Sequence, residues 1–408
     1  MAEAVGLCRP EVICAYPITP QTHIVEDLGA LVKGGKITDC EFINVESEFA
    51  ALSVGIGSSA AGARTYTATA SQGLLYMAEA VYNASGLGLP IVMTVGNRAI
   101  GSPINIWNDQ SDSMSMRDAG WIQLFAETNQ QAIDVHIQAF KIAETLSMPV
   151  MVCVDGFILT HAYERMDVPD QEQVDRFLPP FEPRQVLDPS DPISIGAMVG
   201  PEAFTEVRYM EHHKQLKALE IIPEINKEFK EIFGRDSGGL ISTYRADDAD
   251  TLIVTLGSVI GTISEVIDEM RDKGQKIGAM TIRSFRPFPL DEIHEVLKKT
   301  QRVVVFEKCL AVGLGGIVAN NVRMAHRGLT TPVYTVIGGL GGRPITRKSL
   351  NELFEKAMND DLEETTFLDL KQDVVDHEID RAEKFNRSGA IAENVLRQIG
   401  VVDVAKTS

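Results

Sequence analysis

Residues 11–22 read EVICAYPITPQT. The apolar, β-branched run at 11–16 reads as a strand, and it stops at two prolines with only Ile18 and Thr19 between them. Pro17 and Pro20 fix φ and remove two N–H donors, so Ile18 and Thr19 are expected in an extended, non-helical bend at the strand's carboxyl end. Such a bend either presents a hydroxyl rigidly or is an ordinary strand-to-helix turn with Thr22 as N-cap. Four similar runs follow: CEFINV (40–45), RTYTATA (64–70), PIVMTVG (90–96) and PVMVCVD (149–155). Between them lie helix-spaced stretches rich in small residues, at 46–62, 73–86 and 129–146. β-branched runs alternating with helices predict a parallel α/β sheet with right-handed crossovers.

One connection breaks the rhythm. GNRAIGSPINIWNDQSDSMSMRDAG, at 96–120, has no periodicity and is too long for an ordinary strand-to-helix loop; such loops are commonly functional. The proline-rich stretch at 177–192 leads out of the domain, and the segment 206–233 reads as a charged, exposed helix. A second α/β pattern starts near Asp247, with strands expected at 251–257, 277–282, 302–308 and 332–339. The expected organisation is therefore a first α/β unit with its helical excursion at 1–240, a second α/β unit at 241–370, and an acidic helical tail at 371–408.

A chain of 408 residues with 44% apolar residues suits two or three domains of ~100–200 residues each. The formal net charge of −19 opposes binding to nucleic acid or to anionic membranes. The five cysteines, at 8, 14, 40, 153 and 309, include no CxxC pair, so no zinc or iron–sulfur site of the usual spacing is expected on this chain. Isolated thiols fit a reducing compartment, and no apolar run reaches the ~18 residues needed to cross a bilayer; a cytoplasmic protein is expected.

Several residues could carry chemistry. Glu46 and Glu48 stand where a strand becomes a helix, where carboxylates are favourable in any case. Glu46 reads as a capping residue, whereas Glu48 heads a nearly uncharged helix that would partly bury it. In TATASQGLL (67–75), Ser71, Gln72 and Gly73 end a strand and expose backbone N–H groups to a helix or a polar ligand. Arg98 opens the long loop; a solvated arginine is the ordinary outcome, but its planar fork there suits a carboxylate. Asn108, Asp109, Asp112, Arg117 and Asp118 match no cation loop and read as internal loop hydrogen bonding. His212 and His213 point about 100° apart on a helix and cannot chelate together. The glycine clusters at 313–316 and 338–342 read as turns.

AYPITPQT (15–22), VESEFAA (45–51), TYTATASQGLLYM (65–77), the 96–113 segment, VDGF (154–157) and RSFRPFP (283–289) together resemble the α subunit of 2-oxoacid:ferredoxin oxidoreductases, with the multi-subunit pyruvate enzymes most similar. The resemblance spans about residues 1–370. It implies a thiamine diphosphate enzyme whose first domain is a pyrimidine-binding doubly wound parallel sheet and whose second is similar to a transketolase C-terminal domain. It casts Glu48 as the glutamate that hydrogen-bonds the aminopyrimidine and promotes its imino tautomer, Arg98 as the holder of the substrate carboxylate, and Thr19 as the hydroxyl beside it. Pro17, Ile18, Ser71, Gln72 and Gly73 match the cofactor-lining positions.

The resemblance also implies partners. VDGF is not the GDG motif that places Mg²⁺ on the diphosphate, so Mg²⁺ and [4Fe-4S] clusters are expected on β-, γ- and δ-type subunits in a dimer of heteromers, with no metal on this chain. Coenzyme A and ferredoxin would be co-substrates of the complex. Branched-chain 2-oxoacids, 2-oxoglutarate and oxalate are the rival substrates; a neutral Thr19 argues against oxalate. A non-catalytic scaffold subunit is the rival role.

Overall fold

The structure is a computed structural model in which residues 1–192, 194–385 and 389–401 are described. The strands among them begin with β1 (Val12–Ala15), β2 (Glu41–Asn44), β3 (Thr65–Thr69), β4 (Val92–Asn97), β5 (Ile122–Phe125) and β6 (Val150–Asp155). Then come β7 (Ile241–Tyr244), β8 (Thr251–Thr255), β9 (Ile277–Ile282), β10 (Ser284–Arg286), β11 (Arg302–Glu307), β12 (Val333–Ile337) and β13 (Thr365–Phe367). They form two sheets. The first has the order β10-β5-β6-β4-β3-β1-β2 and is parallel except for β10; the second has the order β13-β12-β11-β8-β9-β7 and is parallel except for β7. This is the expected mixed α/β architecture.

The continuous β-branched runs are explained by burial on both faces: every residue of β3, β4 and β6 is inaccessible. Small residues let helices approach the sheet closely. At Gly55, in the helix Glu48–Ala60, a Cβ would already stand 3.3 Å from the Cys14 Sγ of β1. The chain runs from β1 outward to β2 and then crosses back to β3 on the other side, so Ile13 pairs with both Phe42 and Tyr66. That reversal opens a crevice at the carboxyl ends of β1 and β3, the usual ligand position in such sheets.

Several elements differ from the sequence reading. β5, β7, β10 and β13 are short strands that no long apolar run announces. The stretch at 73–86 is broken at Met77 into the helices Ser71–Tyr76 and Ala78–Gly86. The long helix Phe204–Phe233 is exposed along its first half and amphipathic along its second. Its second half buries Phe229 and Phe233, stacked at 4.2 Å, against Phe177. The helix Glu48–Ala60 is capped by Ser47, whose Oγ accepts from the Ala50 N–H, while Glu46 points to solvent.

Candidate functional site

The turn after β1 is pinned from below. Gln21, fully buried, donates its side-chain amide to the carbonyls of Tyr16 and Ala68, tying the end of β1 to the end of β3. Gln21, not Thr22, occupies the N-cap position of the helix Thr22–Lys33. With its base held, the turn lifts Pro17 and Thr19 to the surface and leaves Ile18 half-buried.

At the end of β3 the backbone reverses sharply: Ala70 is extended, and Ser71 adopts the left-handed region at φ 47°. Ser71 is fully buried, and its Oγ lies 2.5 Å from both the Ala99 carbonyl and Gln72 Oε1. One hydroxyl proton serves one acceptor, so the Gln72 amide must turn its NH₂ toward Ser71 for both contacts to be hydrogen bonds. Gly73 follows, and here a side chain is excluded. A Cβ would stand 2.6 Å from Thr69 Oγ1 and 2.8 Å from Glu48 Oε1. The glycine therefore marks where Glu48 passes over the strand end.

Glu48 is only 9% exposed at the head of its helix, yet its carboxylate has no hydrogen bond or ion pair among the described residues. Its side chain is largely packed away while the carboxylate itself keeps a path outward, which leaves it open to a ligand's donor. At the ends of β1, β3 and β4 and in the loop that follows, the buried atoms Gln21 Oε1, Thr69 Oγ1, Asn97 Oδ1 and Asn108 Oδ1 lack partners. Orphaned polar atoms thus gather at one edge of the first sheet.

Arg98 closes the crevice. It is buried, with 6% exposure, which lowers its pKa. Its Nη1 donates to the Thr19 carbonyl at 2.9 Å and its Nε to the Asn105 carbonyl at 3.2 Å, and it makes no ion pair among the described residues. The expectation of a hydroxyl beside a guanidinium is modified: the bond to Arg98 uses the Thr19 main chain, leaving the threonine side chain exposed. A guanidinium oriented by neutral carbonyls keeps its charge available for an anion.

The residue that sequence reasoning undervalued is Asp112. It is fully buried, and its Oδ2 accepts from the backbone N–H groups of Ser71 (2.9 Å) and Arg98 (3.0 Å). Its Oδ1 accepts from Asn97 Nδ2 and the Ser113 N–H, both at 2.8 Å. Burial pushes its pKa up to about 7, against the pull of these four donors. The loop acids bond only partly within the loop: Asp109 accepts from the Ser111 N–H but also from the Gly341 N–H, Asp118 pairs with Arg117 and with Arg286, and Asp112 reaches the Ser71 turn on which the candidate cofactor residues stand.

The described residues fit an aminopyrimidine-bearing cofactor: an open carboxylate acceptor at Glu48, a floor kept bare at Gly73, and unpartnered polar atoms at the strand ends. Fold and site together define a doubly wound α/β protein with its candidate site at the switch point of the first sheet. Residues 3–227 match the family described as pyruvate flavodoxin/ferredoxin oxidoreductase, thiamine-diphosphate-binding, and residues 249–350 match pyruvate:ferredoxin oxidoreductase core domain II; the chain belongs to this family. It is 46% identical over 384 residues to the pyruvate synthase subunit PorA of Methanosarcina barkeri, covering 92% of this chain and 96% of that one. It is 40% identical to the ketoisovalerate oxidoreductase subunit VorA of Pyrococcus horikoshii, over 85% of this chain and 89% of that one. Among solved structures, 2-oxoglutarate:ferredoxin oxidoreductase from Magnetococcus marinus shares the fold, with a TM-score of 0.68 at 20% identity. That match covers 88% of this chain and spans 64% of the other.

Proposed function

We propose that the chain is the α-type subunit of a thiamine-diphosphate-dependent pyruvate:ferredoxin oxidoreductase, converting pyruvate, coenzyme A and oxidised ferredoxin to acetyl-CoA, CO₂ and reduced ferredoxin. The observation that carries this is the open Glu48 carboxylate, without a protein partner, in the same crevice as an Arg98 held by the Thr19 carbonyl. The family membership supports the chemistry, and relatives named pyruvate synthase at 43–46% identity favour pyruvate over the ketoisovalerate of the 40% relatives.

When bound, thiamine diphosphate supplies a carbon nucleophile and an electron sink for decarboxylation. This chain's residues do the rest of the work on their side. Glu48 would hydrogen-bond the aminopyrimidine ring nitrogen and hold the proton on that nitrogen, favouring the imino tautomer. Ser71, Gln72 and Gly73 form the surface on which the ring lies, with Pro17 and Ile18 opposite. Arg98 binds the substrate carboxylate and orients the keto carbon, and the Thr19 turn fixes Arg98 before substrate arrives, which reduces the entropy lost on binding. β-, γ- and δ-type subunits would bring Mg²⁺ and [4Fe-4S] clusters in a cytoplasmic dimer of heteromers; units at 1–240, 241–370 and 371–408 would form this chain's share.

The test is anaerobic viologen reduction by the complex purified through this chain, with coenzyme A and thiamine diphosphate. Preference for pyruvate over 2-oxoisovalerate, 2-oxoglutarate and oxalate is expected. Preference for another acid would reassign the substrate, and failure with all four would leave a non-catalytic subunit.

A further inference from the structure

The second sheet also has a switch point, where the chain leaves β8 for β9 on one side and returns to β11 on the other, and its carboxyl-end crevice is the natural seat for an anion. The seat is built: Gly257, at φ 70°, turns the Ser258 N–H toward it ahead of the helix Ile260–Asp272, and Lys308 stands across from it. The anion found there belongs to the first sheet. Asp155, at the end of β6, accepts from the Ser258 N–H at 2.9 Å, from Ser258 Oγ at 2.5 Å and from Lys308 Nζ at 3.2 Å. Asp155 and Lys308 are 1% and 3% exposed, so this is a dry ion pair.

From that pair, contacts lead to the long loop. Asp155 Oδ1 accepts from Asn108 Nδ2 and Gln110 Nε2, both at 3.2 Å, and Asn108 Nδ2 also reaches the carbonyl of Asn97, beside Arg98. The Gln110 N–H donates to the Lys308 carbonyl at 2.8 Å. Further along, Asn105 Nδ2 donates to the Gly341 carbonyl at 3.1 Å, and the carbonyl of Asn105 itself accepts from Arg98 Nε. With Asp109 Oδ2 accepting from the Gly341 N–H at 3.1 Å, the loop that orients Arg98 is hung from the second unit at Asn105, Asp109 and Gln110.

We infer that Lys308, through its buried pair with Asp155, is a positioning residue for Arg98, and that the second α/β unit uses its switch-point crevice to fix the substrate loop. The kinetic part rests on the reading of Arg98 as the substrate-carboxylate partner; the structural part does not. The experiment uses the intact complex carrying K308M, K308R or the charge-free D155N/K308M pair. It reads the apparent KM for pyruvate and for coenzyme A together with hydrogen exchange, followed by mass spectrometry, across residues 98–110.

For K308M the expected result is a rise of about tenfold in the pyruvate KM, a coenzyme A KM within about twofold of wild type, and faster exchange confined to 98–110. K308R, which keeps the charge, should restore most of both, and the double variant should still exchange fast in the loop. Unchanged KM and unchanged loop exchange in K308M would overturn the inference. So would faster exchange across the whole chain with a uniform loss of kcat, which marks a structural role alone. A wild-type complex inactive toward every 2-oxoacid would sink the proposed function, while the exchange arm would still decide whether the pair holds the loop.

Discussion

At the scale of single residues, the crevice is a set of groups held ready by neighbours that keep nothing for themselves. Glu48 is 9% exposed and has gained no protein donor among the described residues, so its replacement by glutamine removes the carboxylate that would pair with the ring nitrogen while keeping shape. E48Q should lower kcat by roughly 10²–10⁴-fold, the usual worth of a general acid–base group, with the complex still assembled on gel filtration. Near-normal turnover would remove Glu48 from the chemistry. Arg98 offers its charge to an anion, and a charged hydrogen bond is worth about 1.5–3 kcal/mol. R98A should therefore raise the pyruvate KM roughly 10- to 100-fold with a smaller change in kcat, and R98K should rescue poorly because it lacks the fork that Thr19 and Asn105 hold.

Asp112 adds a pH dependence of defined sign. Its folded pKa, about 7, lies above the ordinary 3.8, so its contribution to stability is fully present below about 3.8 and is lost as the pH rises through about 7. Turnover has the opposite requirement. All four partners of Asp112, the N–H groups of Ser71, Arg98 and Ser113 and the Asn97 amide, are donors, so a protonated carboxyl would set a proton against a proton and loosen both turns. The kcat/KM profile should fall about tenfold per pH unit on its acid side below about 7, and D112N should lose that limb while running slower throughout. An unchanged acid limb in D112N would assign it to another group.

Secondary elements show why part of this was legible in advance. β1, β2, β3, β4 and β6 stand where β-branched runs predict them; for β3, β4 and β6 burial on both faces forbids polar alternation, while β2 is an edge strand with Glu41 and Asn44 exposed. β5 and β10 were invisible because IQLF and SFR are too short to carry a pattern, and β10 joins the first sheet only after the chain has travelled through most of the second unit's first strands. Thr19, Glu48, Ser71 and Arg98 could be singled out because each sits at the boundary of a readable strand. Gln21 and Asp112 could not be ranked, because their value lies in which turns they bridge, and that depends on the folded loop. Gly73 belongs to the readable group and makes the element-scale test. In G73A a methyl would enter the contact between Thr69 and Glu48, and overpacking of this kind costs typically 1–3 kcal/mol. Thermal unfolding should move down by a few degrees, and thiamine diphosphate binding, followed by calorimetry on the complex, should weaken sharply. Normal affinity would show that Glu48 is free to move aside.

The whole molecule is two sheets whose carboxyl edges face one another, and this arrangement bears on what the chain can bind alone. The Asp-Gly pair of VDGF is the nearest approach in this sequence to a diphosphate–metal motif, but Asp155 is committed to Lys308, Ser258, Asn108 and Gln110, and against the upward push of burial the Lys308 charge and the Ser258 hydrogen bonds hold its carboxyl below the usual carboxylate range. A side chain with that many fixed partners is not available to a cation. Glu307, the other buried acid at a strand end in the second sheet, is equally committed, accepting from the N–H groups of Ile317, Val318 and Ala319. Glu48, the carboxylate left open at these edges, faces the pyrimidine side, whereas Asp155 and Glu307 are each taken up by protein partners. Titration of the isolated chain with thiamine diphosphate should accordingly show weak binding that Mg²⁺ does not strengthen, whereas the full complex should bind tightly and lose affinity when a chelator removes the metal. Mg²⁺-dependent tight binding by the chain alone would mean that Asp155 or Glu307 can leave its partners, and the account of the two facing edges would have to change with it.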